Sequence, residues 1–141
     1  MVYDTLFSLD ENRVPRPQMV GEESVSPDRL TYRLTLRPNL RFHDGAAVTS
    51  TDVVASINRW MVRDTLGQIL KSHLASFTID GPNTVVLTLK TPFPFVELAL
   101  GSITGSQPII MRAQDAATDP FKPVTTAIGS GPFRFLPYQY V

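Results

Sequence analysis

The sequence contains no cysteine among its 141 residues. This absence excludes a disulfide scaffold, a zinc site with thiolate ligands and a catalytic thiol. An excess of charge of either sign is also absent, because 13 basic and 13 acidic side chains cancel. No overall electric field therefore directs the chain toward nucleic acid or anionic lipid. Apolar residues make up 43% of the sequence, too large a fraction for an intrinsically disordered chain.

Long apolar runs are missing as well. The longest uncharged stretch, residues 98–111, has 14 residues and includes two glycines and a proline, whereas a membrane-spanning helix needs about 20 mostly apolar residues. A basic segment followed by an apolar one, the pattern of a secretory signal peptide, is not found at the start. Residues 2–7 already have the composition of a folded interior, which suggests either a short natural protein or a piece of a longer one.

The common nucleophile and nucleotide motifs do not occur either: there is no G-x-S-x-G, no Walker loop and no G-x-G-x-x-G. Gly129-Ser130-Gly131 is followed by Pro132, where a nucleophile elbow would require a helix. We interpret Gly129 and Gly131 as positions of open φ, or of close backbone approach, ahead of a strand. The sequence predicts no catalytic residue and no cofactor.

Two segments have clear periodicity. Alternation of apolar and polar residues over 31–36 predicts a half-buried strand. Residues 50–63 have the 3.6-residue spacing of an amphipathic helix. Thr49, followed three residues later by Asp52, predicts the N-cap of this helix. Its apolar stripe consists of Val53, Val54, Ile57, Trp60 and Met61.

The remaining elements are predicted from turns and shorter patterns. Residues 1–29 are predicted to be loop with at most one helical turn, because prolines and Gly21 interrupt them. A hairpin of strands 77–80 and 84–90 is predicted around Gly81-Pro82-Asn83. We further predict helices at 66–74, 95–100 and 113–118, a buried strand at 108–111, and a final strand from 133 interrupted by Pro137. Residues 1–141 thus form one mixed α/β domain with antiparallel hairpins.

His43 and Asp44 are the main candidates for chemistry. A histidine beside a carboxylate is compatible with an acid/base pair or with two metal ligands. The competing interpretation is that Asp44-Gly45 closes a turn and His43 packs at its edge. His73 has no ligand-like spacing to His43, so the sequence favours the structural interpretation and predicts no metal site. A hydrolase using His43 with Asp44 or Asp52 remains an alternative.

Aromatic and arginine side chains are candidates for ligand contact. We expect most of the aromatic ones to lie in the core, because each buries a large area, and the arginines to form a solvated face. The aromatic set is Phe93, Phe95, Phe133, Phe135 and Tyr138, and the arginine set is Arg33, Arg37 and Arg41.

Several motifs in a fixed order resemble a known family. The strand over 32–37 leads into Phe42-His43-Asp44-Gly45 and a helix that starts at T-x-x-D-V. The hairpin at 77–90 is followed by Thr91-Pro92-Phe93-Pro94, and the opening of the chain reads V-Y-D-x-L. We call the following the signature residues: Phe42, His43, Asp44, Gly45, Thr49, Asp52, Val53, Arg59, Gly129, Gly131, Pro132 and Phe133.

This pattern resembles the extracytoplasmic solute-binding proteins of ATP-driven importers, in the oligopeptide, dipeptide and nickel group known as family 5. The resemblance implies part of a periplasmic-binding-protein-like type II lobe, here an N-terminal fragment of the first of two lobes. It implies a parent protein outside the cytoplasmic membrane that binds a small solute, a peptide first of all, and delivers it to a membrane permease. The signature residues are expected to be structural, and the resemblance identifies no ligand contacts.

Two further expectations follow from the fragment interpretation. A single lobe lacks the second wall that closes on a ligand, so the chain alone is not expected to bind its solute usefully. Strand edges without partners are expected to cause self-association, including exchange of terminal segments. The remaining alternative is a small stand-alone interaction domain of 141 residues.

Overall fold

The computed structural model describes residues 1–136, so Pro137 and Tyr138 of the predicted final strand lie outside the described residues. The fold is the mixed α/β arrangement with antiparallel strands that the sequence predicts. In chain order the strands are β1 Phe7–Leu9, β2 Pro15–Pro17, β3 Val20–Val25, β4 Thr31–Leu36, β5 Leu74–Ile79 and β6 Thr84–Leu89. The helices are α1 Ser50–Arg63 and α2 Thr65–His73, which precede β5, and α3 Val96–Leu100 and α4 Ala113–Ala116, which follow β6.

Strands β3 to β6 form one antiparallel sheet in the order β3-β4-β6-β5. In the central pair Tyr32 lies opposite Leu87 and Leu34 lies opposite Val85, and all four side chains are buried. The alternation seen in the sequence therefore places one face of β4 in the core. Strands β1 and β2 form a separate two-stranded sheet.

Helix α1 begins and ends at the predicted residues. Thr49 and Asp52 make the predicted capping box, in which the Asp52 carboxylate accepts from the Thr49 backbone N–H at 2.8 Å. Val53 and Ile57 are fully buried in the core cluster that also contains the sheet, and α1 contacts both β5 and β6. The apolar stripe therefore docks the helix on the sheet, as predicted.

The prediction for residues 1–29 is wrong, because β1, β2 and β3 lie there. Proline is tolerated in edge strands that need few N–H donors, and each strand of the β1–β2 ribbon has one partner. Strand β3 is an edge strand whose Gly21, Glu22 and Glu23 hide any alternation. The predicted strand at 108–111 is reduced to one bridge from Ile109 to Thr5.

Three of the five aromatic side chains expected in the core are exposed. Phe93 is buried, but Phe95, Phe133 and Phe135 are 53%, 65% and 44% exposed. Phe95 lies in the proline-rich segment after β6, and no helix or strand is assigned to 133–136. The described part of the predicted final strand is therefore not a strand. Tyr138 lies outside the described residues.

No helix within residues 1–136 combines the length and the hydropathy needed to cross a membrane.

Candidate functional site

The segment from Phe42 to Ala46 forms the turn that leads toward α1. Gly45 has a φ of +89°, a conformation that favours glycine, and its N–H donates to the Phe42 carbonyl at 2.9 Å. The Ala46 N–H donates to the Asp44 carboxylate at 3.0 Å. Phe42 itself is buried. Asp44 and Gly45 are therefore used by the turn, in line with the structural interpretation.

His43 connects this turn to the segment around Gly131. The His43 backbone N–H donates to the Gly129 carbonyl at 2.8 Å. The ring Nε2 lies 2.8 Å from the Gly131 carbonyl, so Nε2 carries the proton and donates it. The ring Nδ1 is buried and has no partner among residues 1–136. The histidine thus acts as a fixed donor between two distant parts of the chain.

Gly129 and Gly131 are required by close packing against the first residues. A Cβ at Gly129 would lie 2.0 Å from the Val2 carbonyl oxygen, and one at Gly131 would lie 2.5 Å from that of Met1. The Gly131 N–H donates to the Val2 carbonyl at 2.9 Å. Of the two reasons proposed for these glycines, the structure shows close backbone approach.

Pro132 and Phe133, the last two signature residues, are exposed. The backbone N–H of Phe133 donates to the Met1 carbonyl at 3.2 Å. The contribution of Phe133 within residues 1–136 therefore comes from its backbone, which extends the contact with the start of the chain.

Arg112 joins two carboxylates. Its guanidinium lies 2.9 Å from Asp44 and 2.7 Å from Asp115, and Thr126 donates to Asp115 at 2.7 Å. The pKa of Asp44 is lowered by the Ala46 N–H and by Arg112. Burial raises the pKa of Asp115, but the hydrogen bonds from Arg112 and Thr126 outweigh it and leave that pKa lowered. All three side chains are thus charged at neutral pH.

Asp52 and Arg59 connect α1 to residues 113–122. Besides capping α1, the Asp52 carboxylate accepts from the Ala113 N–H at the start of α4, at 2.8 Å. The Arg59 guanidinium donates to the carbonyls of Thr118 and Lys122, at 2.8 Å in the second case. These two signature residues therefore fix the position of residues 113–122 on α1.

His43, Asp44 and Asp52 do not form a catalytic constellation. His43 donates to a carbonyl, Asp44 pairs with Arg112, and Asp52 accepts backbone and hydroxyl donors. Within residues 1–136 no group of three or more acidic or histidine side chains is arranged to hold a metal ion. The geometry supports a contact between distant chain segments, made by His43, Asp44, Asp52 and Arg59, which we call the clamp.

A cavity of about 290 Å³ lies beside this clamp and has a basic wall. We call it the basic groove and define it by Tyr3, Arg59, Trp60, Arg63 and Lys122. This groove was not predicted from the sequence. Arg59 and Arg63 lie four residues apart on α1 and hence on the same face of the helix. This spacing is the sequence pattern from which the basic wall could have been predicted.

A second cavity, of about 440 Å³, has an acidic wall instead. Glu23 of β3 and Glu97 of α3 both line it, together with the exposed ring of Phe95. Burial, a hydrogen bond with Glu97 and repulsion by that carboxylate raise the pKa of Glu23 to about 7, and Arg29 opposes the shift. The Glu23 carboxyl group is therefore partly protonated near neutral pH.

The clamp is built from the motifs whose order resembles a family of binding proteins. The profile of "Bacterial extracellular solute-binding proteins, family 5 Middle" matches residues 14–140. The chain belongs to this family. The resemblance recognised from the signature residues is thereby confirmed.

Individual relatives of this family 5 chain extend the comparison. It is 47% identical over 135 residues to the "Probable peptide ABC transporter periplasmic-binding protein y4tO" of Sinorhizobium fredii, covering 95% of this chain and 25% of that protein. It is 34% identical over 93 residues to the glutathione-binding protein GsiB of Salmonella typhi, covering 64% of this chain and 18% of that one. These relatives are named as binding proteins, and the chain spans a quarter or less of their length.

A solved structure confirms the fold. The binding protein AgaA of A. tumefaciens R10, in complex with agropinic acid, superposes with a TM-score of 0.79 at 28% identity, covering 95% of this chain and 27% of that one. The mixed α/β arrangement is thus the arrangement of part of a family 5 binding protein.

Proposed function

We propose that this chain is part of the first lobe of a solute-binding protein that works outside the cytoplasmic membrane. The complete protein captures a small solute, a peptide first of all, and delivers it to the membrane permease of an ATP-driven importer. It catalyses no reaction. The observation that carries this proposal is the 47% identity, over 95% of the chain, to a protein named as a peptide-binding component of such a transporter.

The contacts of the signature residues favour a structural role for them over contact with the ligand. Polar side-chain atoms of four of them bond to other parts of the chain: His43, Asp44, Asp52 and Arg59. One fold can carry different functions, and function lies in the site that the scaffold carries. We therefore place the solute against other side chains of this lobe.

The chain alone is not expected to bind its solute with useful affinity. Binding sites for small molecules bury most of the ligand surface, and hinge closure around a ligand needs two walls. The chain spans 25% of the S. fredii relative. We therefore assign the second wall to the part of the complete protein that lies outside this chain. The described residues supply one wall.

Calorimetry on two proteins tests the proposal. The complete protein encoded by the surrounding reading frame and the 141-residue chain are each titrated with a mixed peptide library and then with single peptides. We expect binding in the micromolar range for the complete protein and none for the chain. Micromolar binding by the chain alone would contradict the two-wall argument. If the complete protein binds no peptide but binds another small solute, only the assignment of a peptide as the solute would be wrong.

The reading frame itself distinguishes the alternative of a stand-alone interaction domain. A stop codon after Val141, with no coding sequence upstream of Met1, would support that alternative and overturn the proposed transport role. A hydrolytic activity lost in His43→Ala would support the hydrolase instead.

A further inference from the structure

The basic groove has an unbalanced charge. Arg59, Arg63 and Lys122 line it, and among residues 1–136 no acidic side chain does. The nearest carboxylate in sequence, Asp64, caps α2 by accepting from the Leu66 and Gly67 N–H groups and also accepts from the Ser106 N–H. Asp64 therefore satisfies backbone donors and leaves the three cations without a carboxylate at the groove.

Two of the three cations have no side-chain partner in the described part of the chain. Within residues 1–136, neither the Arg63 guanidinium nor the Lys122 ammonium group takes part in a hydrogen bond or an ion pair. Arg59 differs, because its donors hold the carbonyls of Thr118 and Lys122. Arg59 thus fixes the wall that carries Lys122 against the helix that carries Arg63, and the groove is formed before any ligand arrives.

Part of the groove lining is apolar or already hydrogen-bonded to the protein, and Gln107 adds a polar side chain. The Trp60 indole N–H already donates to the Ser106 carbonyl at 2.5 Å. The Ser56 hydroxyl is used in both directions by the backbone of Met111, at 2.9 and 3.0 Å. Ile109 and Val124 add aliphatic surface. A ligand that fits this lining has an apolar body and a charged end.

We infer that the basic groove is a binding site for a compact organic anion, whose carboxylate is held by Arg63 and Lys122 and whose apolar part covers the apolar lining. Guanidinium and ammonium groups form charge-assisted hydrogen bonds to carboxylates, and these are stronger than neutral ones. An amide of the same shape offers no charge to the two free cations. This inference concerns the groove alone and stands whether or not the complete protein serves a transporter.

Fluorescence of the protein tests this inference directly, because Trp60 is the single tryptophan of the sequence and lines the groove. The probes are 3-phenylpropionate and its uncharged analogue 3-phenylpropionamide, titrated at constant ionic strength. We expect a saturable change in tryptophan emission with the acid, and binding of the amide about tenfold weaker or more. Equal affinity for acid and amide would overturn the inference, and so would the absence of a saturable response.

A pair of matched double variants separates the site from general charge attraction. Arg63→Gln with Lys122→Gln is expected to weaken binding of 3-phenylpropionate about tenfold. Arg37→Gln with Lys90→Gln removes the same charge from exposed residues that do not line the groove, and is expected to change affinity less than about twofold, since distant exposed charges are screened. Thermal melting verifies that both variants fold. Equal weakening in the two variants would show non-specific attraction and overturn the site.

Discussion

The ring Nε2 of His43 donates to the backbone carbonyl of Gly131 at 2.8 Å, across 88 residues of sequence. Together with the bond from the His43 N–H to Gly129, this contact joins two motifs by which the family was recognised. The glycine motif also reaches the first residues of the chain, because the Gly131 N–H donates to the Val2 carbonyl. Local structure alone therefore does not explain why a histidine is found at position 43 or a glycine at position 131.

Replacing His43 with alanine is expected to lower the free energy of unfolding by about 1–2 kcal/mol. The substitution removes a long-range hydrogen bond and leaves the Gly131 carbonyl without its donor. Chemical denaturation monitored by circular dichroism measures the change. His73→Ala is the control, since His73 makes an exposed hydrogen bond to Thr91 and stacks on Phe93, and its loss is expected to cost less. A cost at His43 no larger than at His73 would contradict the clamp.

Alanine at Gly129 is expected to be far more damaging than alanine at Gly45. The new Cβ at Gly129 would overlap a backbone oxygen at 2.0 Å, and the backbone must move to relieve it, which costs about 3 kcal/mol. At Gly45 nothing lies within 4 Å, so only the strain of a φ of +89° remains, about 1 kcal/mol. Melting temperatures of the two variants provide the comparison, and a reversed order would refute the close-packing role of Gly129.

Local patterns predicted the elements that local chemistry determines. Helix α1 carries its capping box and its apolar stripe within one segment, so its bounds followed from the sequence. Strands β5 and β6 were found near their predicted positions because the turn at 81–83 separates them. The signature residues were expected to be structural, but their contact partners were not predictable. They depend on contacts such as that of Asp52 with Ala113, 61 residues away.

Elements that depend on distant partners were missed. Strand β3 has no apolar alternation of its own and is defined by pairing with β4. The basic groove combines Tyr3, Trp60 and Lys122, which no local pattern brings together. The exposed rings of Phe95 and Phe133 show the same limit, since burial depends on what packs against a residue.

The carboxyl group of Glu23 is expected to make stability fall as pH rises from about 4.5 to about 7. Its pKa is raised to about 7 in the folded protein from an ordinary value of 4.5, so the folded state keeps a proton that the unfolded state has lost. The groups around it are Glu97, Arg29 and Tyr32. Because Glu23 is only half-buried, solvent screens the cost at pH 8 to about 1 kcal/mol.

Glu23→Gln should remove that pH dependence and stabilise the protein at pH 8. Denaturation curves between pH 4 and pH 8 measure the slope of stability against pH. Glu22→Gln is the matched control, because Glu22 is the exposed neighbour on the same strand and does not line the acidic cavity. If the slope survives in Glu23→Gln, or disappears equally in Glu22→Gln, the titration of Glu23 is not responsible for it.

The outer edge of β5 is expected to pair with the same edge of a second copy. Strand β5 lies at one end of the sheet and, within the described residues, pairs with β6 alone, and Ile79 on this strand is 46% exposed. Unpaired backbone groups beside an exposed apolar side chain favour strand addition. Light scattering of the 141-residue chain should therefore show a mass that rises from monomer to dimer with concentration.

Ile79→Lys should keep the chain monomeric, because a charge on an edge strand opposes pairing. Ile103→Lys places the same charge on a residue that is 64% exposed and outside the sheet, and should still dimerise. A strict monomer at every concentration would refute edge pairing, and a dimer abolished by Ile103→Lys instead would place the contact elsewhere.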